Sequence, residues 1–145
     1  GFTASSDSHG LLYHHGEARK RDPYRTGLTA VQAPELTRDA VFEALRTRRC
    51  YGTSGAKILL DMRVDGEPMG STLQRTGAVR VSARAHGESD VARLELITRD
   101  GVVATAAGSG RDAAIEADVS ADYVYARVVQ HDGEMAWASP VFIEG

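Results

Sequence analysis

A chain of 145 residues, 42% hydrophobic and 26% charged, has room for one domain, or one domain with an appendage, and can bury a sizeable core. A net charge of −3 and a pI near 5.9 argue against the basic stripe of a nucleic-acid binder, so nucleic acid is not an expected partner. One cysteine, Cys50, excludes an internal disulfide and a cysteine-rich zinc site, and no run of about 18 apolar residues is present to span a membrane.

The first residues lack the basic-then-apolar pattern of a signal peptide. Instead, the small, β-compatible stretch Phe2-Thr3-Ala4-Ser5-Ser6 runs into Asp7-Ser8-His9-Gly10. At the end of a strand, Asp7 and His9 would point to the same side, because side chains alternate with period two. A carboxylate and an imidazole so placed suit one cation or two adjacent ones. A metal centre needs about three or four protein ligands, so the others come later in the chain or from a larger enzyme. The plain alternative is a strand-end turn in which Asp7 caps a backbone amide. Ser6 and Ser8 lack the Gly-x-Ser-x-Gly elbow of a nucleophile.

Residues 11–26 are mostly polar and carry no apolar period, which predicts a loop. Its adjacent histidines, His14 and His15, read as solvent-facing rather than as further ligands. Gly27 to Val31 is predicted to be a short buried strand. A helix follows over Arg38 to Arg49, with Thr37 as N-cap and Ala40, Val41, Ala44 and Leu45 on one apolar face. Leu36 and Val41 have the spacing of a hydrophobic staple. Arg46, Arg48 and Arg49 crowd the last turn, where the helix dipole favours cations, so no ligand is needed to explain them. Cys50 reads as a small packing residue, and Tyr51 to Gly55 as a turn and domain boundary.

From Ala56 onward the period changes to two. Strands are predicted at Ile58 to Val64, Val79 to Ala85, around Leu94 and Leu96, at Val102-Val103, Ala113 to Val119, Tyr123 to Gln130 and Ala136 to Ile143. Asp65-Gly66, Asp100-Gly101 and Asp132-Gly133 supply tight turns between them. Roughly seven short strands in such a meander predict an antiparallel, Ig-like β-sandwich. Trp137, Tyr123 and Tyr125 fit its core or sheet edge, with a carbohydrate platform as the alternative. His86 and His131 read as solvated.

Several stretches together resemble a known family: Ala4-Ser5-Ser6-Asp7-Ser8-His9, Gly27-Leu28-Thr29-Ala30-Val31, Pro34-Glu35-Leu36-Thr37-Arg38, Arg49-Cys50-Tyr51-Gly52-Thr53-Ser54-Gly55, Tyr123 to Val128, and Ala136-Trp137-Ala138-Ser139-Pro140. They are similar to the C-terminal portion of bacterial metal-dependent hydrolases related to the PHP (polymerase and histidinol phosphatase) superfamily, in a group known only as a domain of unknown function, DUF3604. The resemblance implies that residues 1–55 are the end of a PHP-like β/α barrel with one helix, and that 56–145 are an accessory β-sandwich. It makes Asp7 and His9 the last ligands of a centre of divalent metal ions (Zn, Mn or Fe), and it implies a small-molecule, phosphoester-like substrate. The family's earlier ligands, His-x-His, Glu and His, would precede residue 1. The N-terminal catalytic domain of the same protein is then the chain's partner, and the isolated chain is expected to be inactive. A noncatalytic interaction or carbohydrate-binding module is the competing expectation.

Overall fold

The computed structural model of the chain describes residues 1–6 and 26–145. Among these, one helix, α1 (Arg38–Arg46), accompanies twelve strands. Eight form the larger sheet: β1 (Leu28–Val31), β2 (Cys50–Thr53), β5 (Thr72–Gln74), β7 (Val91–Thr98), β8 (Gly101–Ala107), β10 (Tyr123–Gln130), β11 (Met135–Ala138) and β12 (Val141–Glu144). The smaller sheet has the order β4 (Glu67–Pro68), β3 (Leu59–Val64), β6 (Val79–His86), β9 (Asp112–Val119). The fold is mainly β, with antiparallel pairing throughout except for the parallel pair β5 and β12, and it is consistent with a β-sandwich. No helix among the described residues is long and apolar enough to cross a membrane.

Alternation builds the core. Along β3, Leu60, Met62 and Val64 are buried while Leu59 and Arg63 are exposed, and β6 repeats the pattern with Val79, Val81, Ala83 and Ala85. Leu94 and Leu96 of β7 and Val124, Ala126 and Val128 of β10 join them in one apolar cluster. Tyr51 ties the sheets together. Its hydroxyl donates to the Ile58 carbonyl at 2.9 Å and accepts from the Leu60 amide at 3.2 Å, and burial pushes the phenol above its ordinary pKa.

Opposite the core residues Leu94 and Leu96, β7 carries a charge triad built on one buried carboxylate. Glu95, with a side chain 8% exposed, accepts from Arg127 Nε at 2.7 Å and from Arg93 Nε at 2.8 Å. Burial alone would raise the Glu95 pKa, but hydrogen bonds and charge from Arg127 and Arg93 together outweigh it and hold the carboxyl below its usual range. A depressed folded pKa gives stability that is fully present above the unfolded value of about 4.3 and is lost as pH falls through the folded value. Urea unfolding at a series of pH values is expected to show stability declining below about pH 4.3 in the wild type and declining less steeply in Glu95→Gln. Identical acid limbs would remove the triad from the explanation.

The structure departs from the sequence expectations at several places. The stretch from Ala136 to Ile143 is two strands, because Pro140 has no amide to continue a ladder: β11 pairs with β2 and β10, then β12 pairs with β10 and β5. Residues 51–53, read as part of a turn, join Cys50 in β2 between β1 and β11. Between β2, which ends at Thr53, and β3, which begins at Leu59, the chain passes from the larger sheet to the smaller one. β1 exposes Leu28 and Thr29 rather than burying them, since it pairs only with β2 and forms an edge.

The helix stops at Arg46 rather than Arg49. Thr37 caps its start by accepting from the Ala40 amide. At its end, the Arg49 amide donates to Ala44 O at 2.8 Å and the Arg48 amide to Leu45 O at 3.1 Å. This is a Schellman closure with Arg48 at φ 62, where glycine is usual. The Arg48 guanidinium compensates by donating to Gly70 O and Thr72 Oγ1 and lying 5.3 Å over the Phe142 ring. The staple does not form: Leu36 is 97% exposed. Leu45, assigned to the buried face, is 42% exposed, and Ala44 is the helix's one buried residue.

Candidate metal-ligand segment

The two residues singled out as ligands, Asp7 and His9, lie outside the described residues, as do Ser8, His14 and His15. What the structure does describe is the segment leading to them. Residues 1–6 adopt no strand, contrary to expectation, because their backbone meets side chains instead of a neighbouring ladder. The Phe2 amide donates to Ser139 Oγ at 2.8 Å, and Ser139 Oγ donates in turn to Cys50 O at 2.5 Å. The Cys50 thiol, buried beside Ser139, donates to Phe2 O at 3.6 Å. The Phe2 ring meets Tyr125 edge-on at 5.2 Å. Farther along, Thr29 Oγ1 both accepts from the Ala4 amide at 3.0 Å and donates to Ala4 O at 2.8 Å.

Two glycines make room for this path. A Cβ on Gly52 would lie 3.2 Å from Ala4 Cβ, and one on Gly27 would lie 2.8 Å from Ser5 O. The segment therefore runs from Ser139 at the β11–β12 junction, over β2, to the foot of β1, where Ser5 lies against Gly27. Cys50 and Tyr125 read from sequence as packing residues, and none of these residues was read as a support for the segment before Asp7. Gly52 inside a strand was the available signal, since such a glycine marks close approach of another backbone.

Elsewhere the side chains with chemistry are committed to structure or solvent. His86 Nδ1 lies 2.7 Å from Asp112 Oδ1 in an exposed cross-strand pair, and His131 is exposed on a turn. Tyr123 tilts against Phe142 at 6.4 Å, while Trp137 lies opposite Arg127 and Gly52 in the ladder. Among the described residues, no three His, Cys, Asp or Glu side chains gather as a metal site would require. A cleft of about 730 Å³ is lined by Arg46, Arg48, Arg49 and Arg75 with Asp65 and Glu67. Arg48 and Arg75 are already engaged, by Gly70 and Thr72 and by Asp65, and the C-terminal end of α1 opposes an anion there.

Residues 1–87, which include this segment and both predicted ligands, match the family described as a protein of unknown function, DUF3604. The chain belongs to the DUF3604 family. The match extends past residue 55 through β3 to β6. An uncharacterized protein of Chlamydia trachomatis is 30% identical to this DUF3604 chain over 166 aligned positions, covering 99% of the chain and 27% of the relative. An uncharacterized protein of Chlamydia muridarum matches with the same identity and coverage, and one of Chlamydia pneumoniae is 29% identical over 83% of the chain and 23% of its own length. The chain thus spans about a quarter of the curated relatives it matches. No solved structure matches it significantly.

Proposed function

We propose that this chain is the C-terminal part of a PHP-related, metal-dependent hydrolase acting on phosphoesters, in which Asp7 and His9 are metal ligands and the β-sandwich is the accessory module. The observation that carries the reading is the path of residues 1–6. Ser139, Cys50, Tyr125 and Thr29 fasten a segment without secondary structure onto the sheet immediately before the Asp-x-His motif. A ligand pair needs such a fixed approach, because metal centres tolerate little error in ligand placement. The size of the relatives supports it as well, leaving most of a polypeptide to supply the other ligands.

Carboxylate and imidazole form a donor set suited to Zn, Mn or Fe. Such ions, when bound, make a nucleophile of water at neutral pH and neutralise charge on a phosphoryl group. The chain's own share would be to supply Asp7 and His9 as ligands, led to the site by the anchored residues 1–6.

The test is hydrolysis of p-nitrophenyl phosphate and a panel of other phosphoesters by the full-length family protein containing this chain. Activity is expected to disappear on chelation and to return with Zn, Mn or Fe, while the 145-residue chain alone is expected to be inactive. Absence of any metal-dependent hydrolysis, together with specific binding of a glycan or peptide by the chain alone, would favour the noncatalytic module.

A further inference from the structure

A nine-residue helix with one buried side chain is poorly explained by the contacts it makes here. On α1, Ala44 faces the sheet, yet Phe42 is 66% and Leu45 is 42% exposed. Phe42 and Leu45 are three positions apart and share a face of the helix. Helices with apolar residues on two sides are normally covered on both. The helix packs on β1, an edge strand whose Leu28 is 38% exposed. On another side of β1, the exposed Leu59 shares a cleft of about 540 Å³ with Ala30 and Val31.

The distribution is uneven. Of eight exposed large hydrophobic residues among those described, four (Leu28, Leu36, Phe42 and Leu45) lie on β1, on α1 or just before it, while Phe2 packs on Tyr125, Leu59 is on β3 and the other two are on β8. All four lie within the family-matched residues 1–87. Isolated surface leucines need no explanation, but a concentration around one helix and one sheet edge marks an interaction surface.

From these observations we infer that the outer face of α1, with Phe42 and Leu45, and the adjoining edge of β1 form the docking surface for the N-terminal catalytic part of the same polypeptide. The inference rests on the hydrolase reading for the occupant's identity. Ser5 touches Gly27, the residue before Leu28. From Ser6 the chain reaches His9 in three residues, at most about 10 Å when fully extended. With the length of the imidazole side chain and a metal–ligand distance added, a centre that Asp7 and His9 share with other ligands lies within roughly 20 Å of the foot of β1. The part of the protein bearing those ligands has to come against this corner of the sandwich. A second copy of the chain has no such reason to be there.

Amide hydrogen exchange of residues 38–46 and 28–31 tests this, comparing the full-length family protein with the 145-residue chain at equal concentration. Exchange in these segments is expected to be at least about tenfold slower in the full-length protein. The substitution Phe42→Gln is expected to weaken that slowing at least about threefold while leaving the circular dichroism and melting temperature of the isolated chain unchanged, because this side chain is two-thirds exposed. Equal exchange in the two wild-type proteins would overturn the docking surface, even if the full-length protein hydrolyses phosphoesters. Protection that grows with concentration in the isolated chain would also overturn it, assigning the surface to a second copy. Slowed exchange without metal-dependent hydrolysis would keep the surface and discard the hydrolase reading.

Discussion

In the full-length family protein, Asp7→Ala and His9→Ala are each expected to lower metal-dependent kcat by at least about 100-fold, which corresponds to roughly 2.7 kcal/mol of transition-state stabilisation. Even residues that only orient a metal ligand cost about 10- to 100-fold when removed, so loss of a ligand sets a lower bound near the top of that range. The two substitutions should act on the same centre, and the double variant is expected to be little worse than either single one. Gly27→Ala separates positioning from ligation. Its new Cβ would lie 2.8 Å from Ser5 O and displace the approach to residue 7 while leaving both ligands in place, so a smaller loss of activity with retained metal is expected. Full activity in Asp7→Ala and His9→Ala alike would remove the motif from the chemistry.

The largest stability effect is expected at Leu96. It is fully buried on β7, with Ala126 on β10 and Ala104 on β8 as its ladder neighbours. These alanines leave the side chain to fill the inter-sheet space, and truncation to alanine leaves a cavity flanked by short side chains that cannot close it. Leu96→Ala is expected to cost about 3 to 4 kcal/mol, the transfer free energy of the lost methyl groups plus the cavity. For a domain of this size that lowers the melting temperature by roughly 10 °C. Differential scanning calorimetry checks it, and a shift below about 3 °C would mean that the sheets close over the gap.

Much of the fold was legible because the sandwich obeys one rule repeatedly. Val79, Val81, Ala83 and Ala85 alternate with polar neighbours and bury as expected, and Asp65-Gly66, at φ 49 and 88, turns β3 into β4. Where two demands meet on the same residues, local pattern fails. Tyr51-Gly52-Thr53-Ser54-Gly55 looks like a turn because glycine and small polar residues favour turns. Here Gly52 is needed for Ala4 to cross β2, and the strand is made by its partners β1 and β11. Likewise Leu36 and Leu45 have the spacing of residues that pack locally, and spacing cannot say whether the covering surface belongs to the same segment.

The candidate site divides similarly. Asp7-x-His9 is visible to the eye as a ligand pair, but its supports lie far along the chain: Ser139 is 137 residues from Phe2, and Thr29 is 25 from Ala4. Ser139 precedes a proline between two short strands and looks like a linker residue. Its buried hydroxyl instead joins the chain's beginning to β2, a role that only the tertiary arrangement reveals.

The most direct measurement is the metal content of the full-length family protein, by inductively coupled plasma mass spectrometry after gel filtration in metal-free buffer. The wild type is expected to retain tightly bound Zn, Mn or Fe, and the Asp7→Ala/His9→Ala double variant to retain about one ion per chain less, with its unfolding transition otherwise intact. Equal metal content in the wild type and the double variant would contradict the assignment of Asp7 and His9 as ligands.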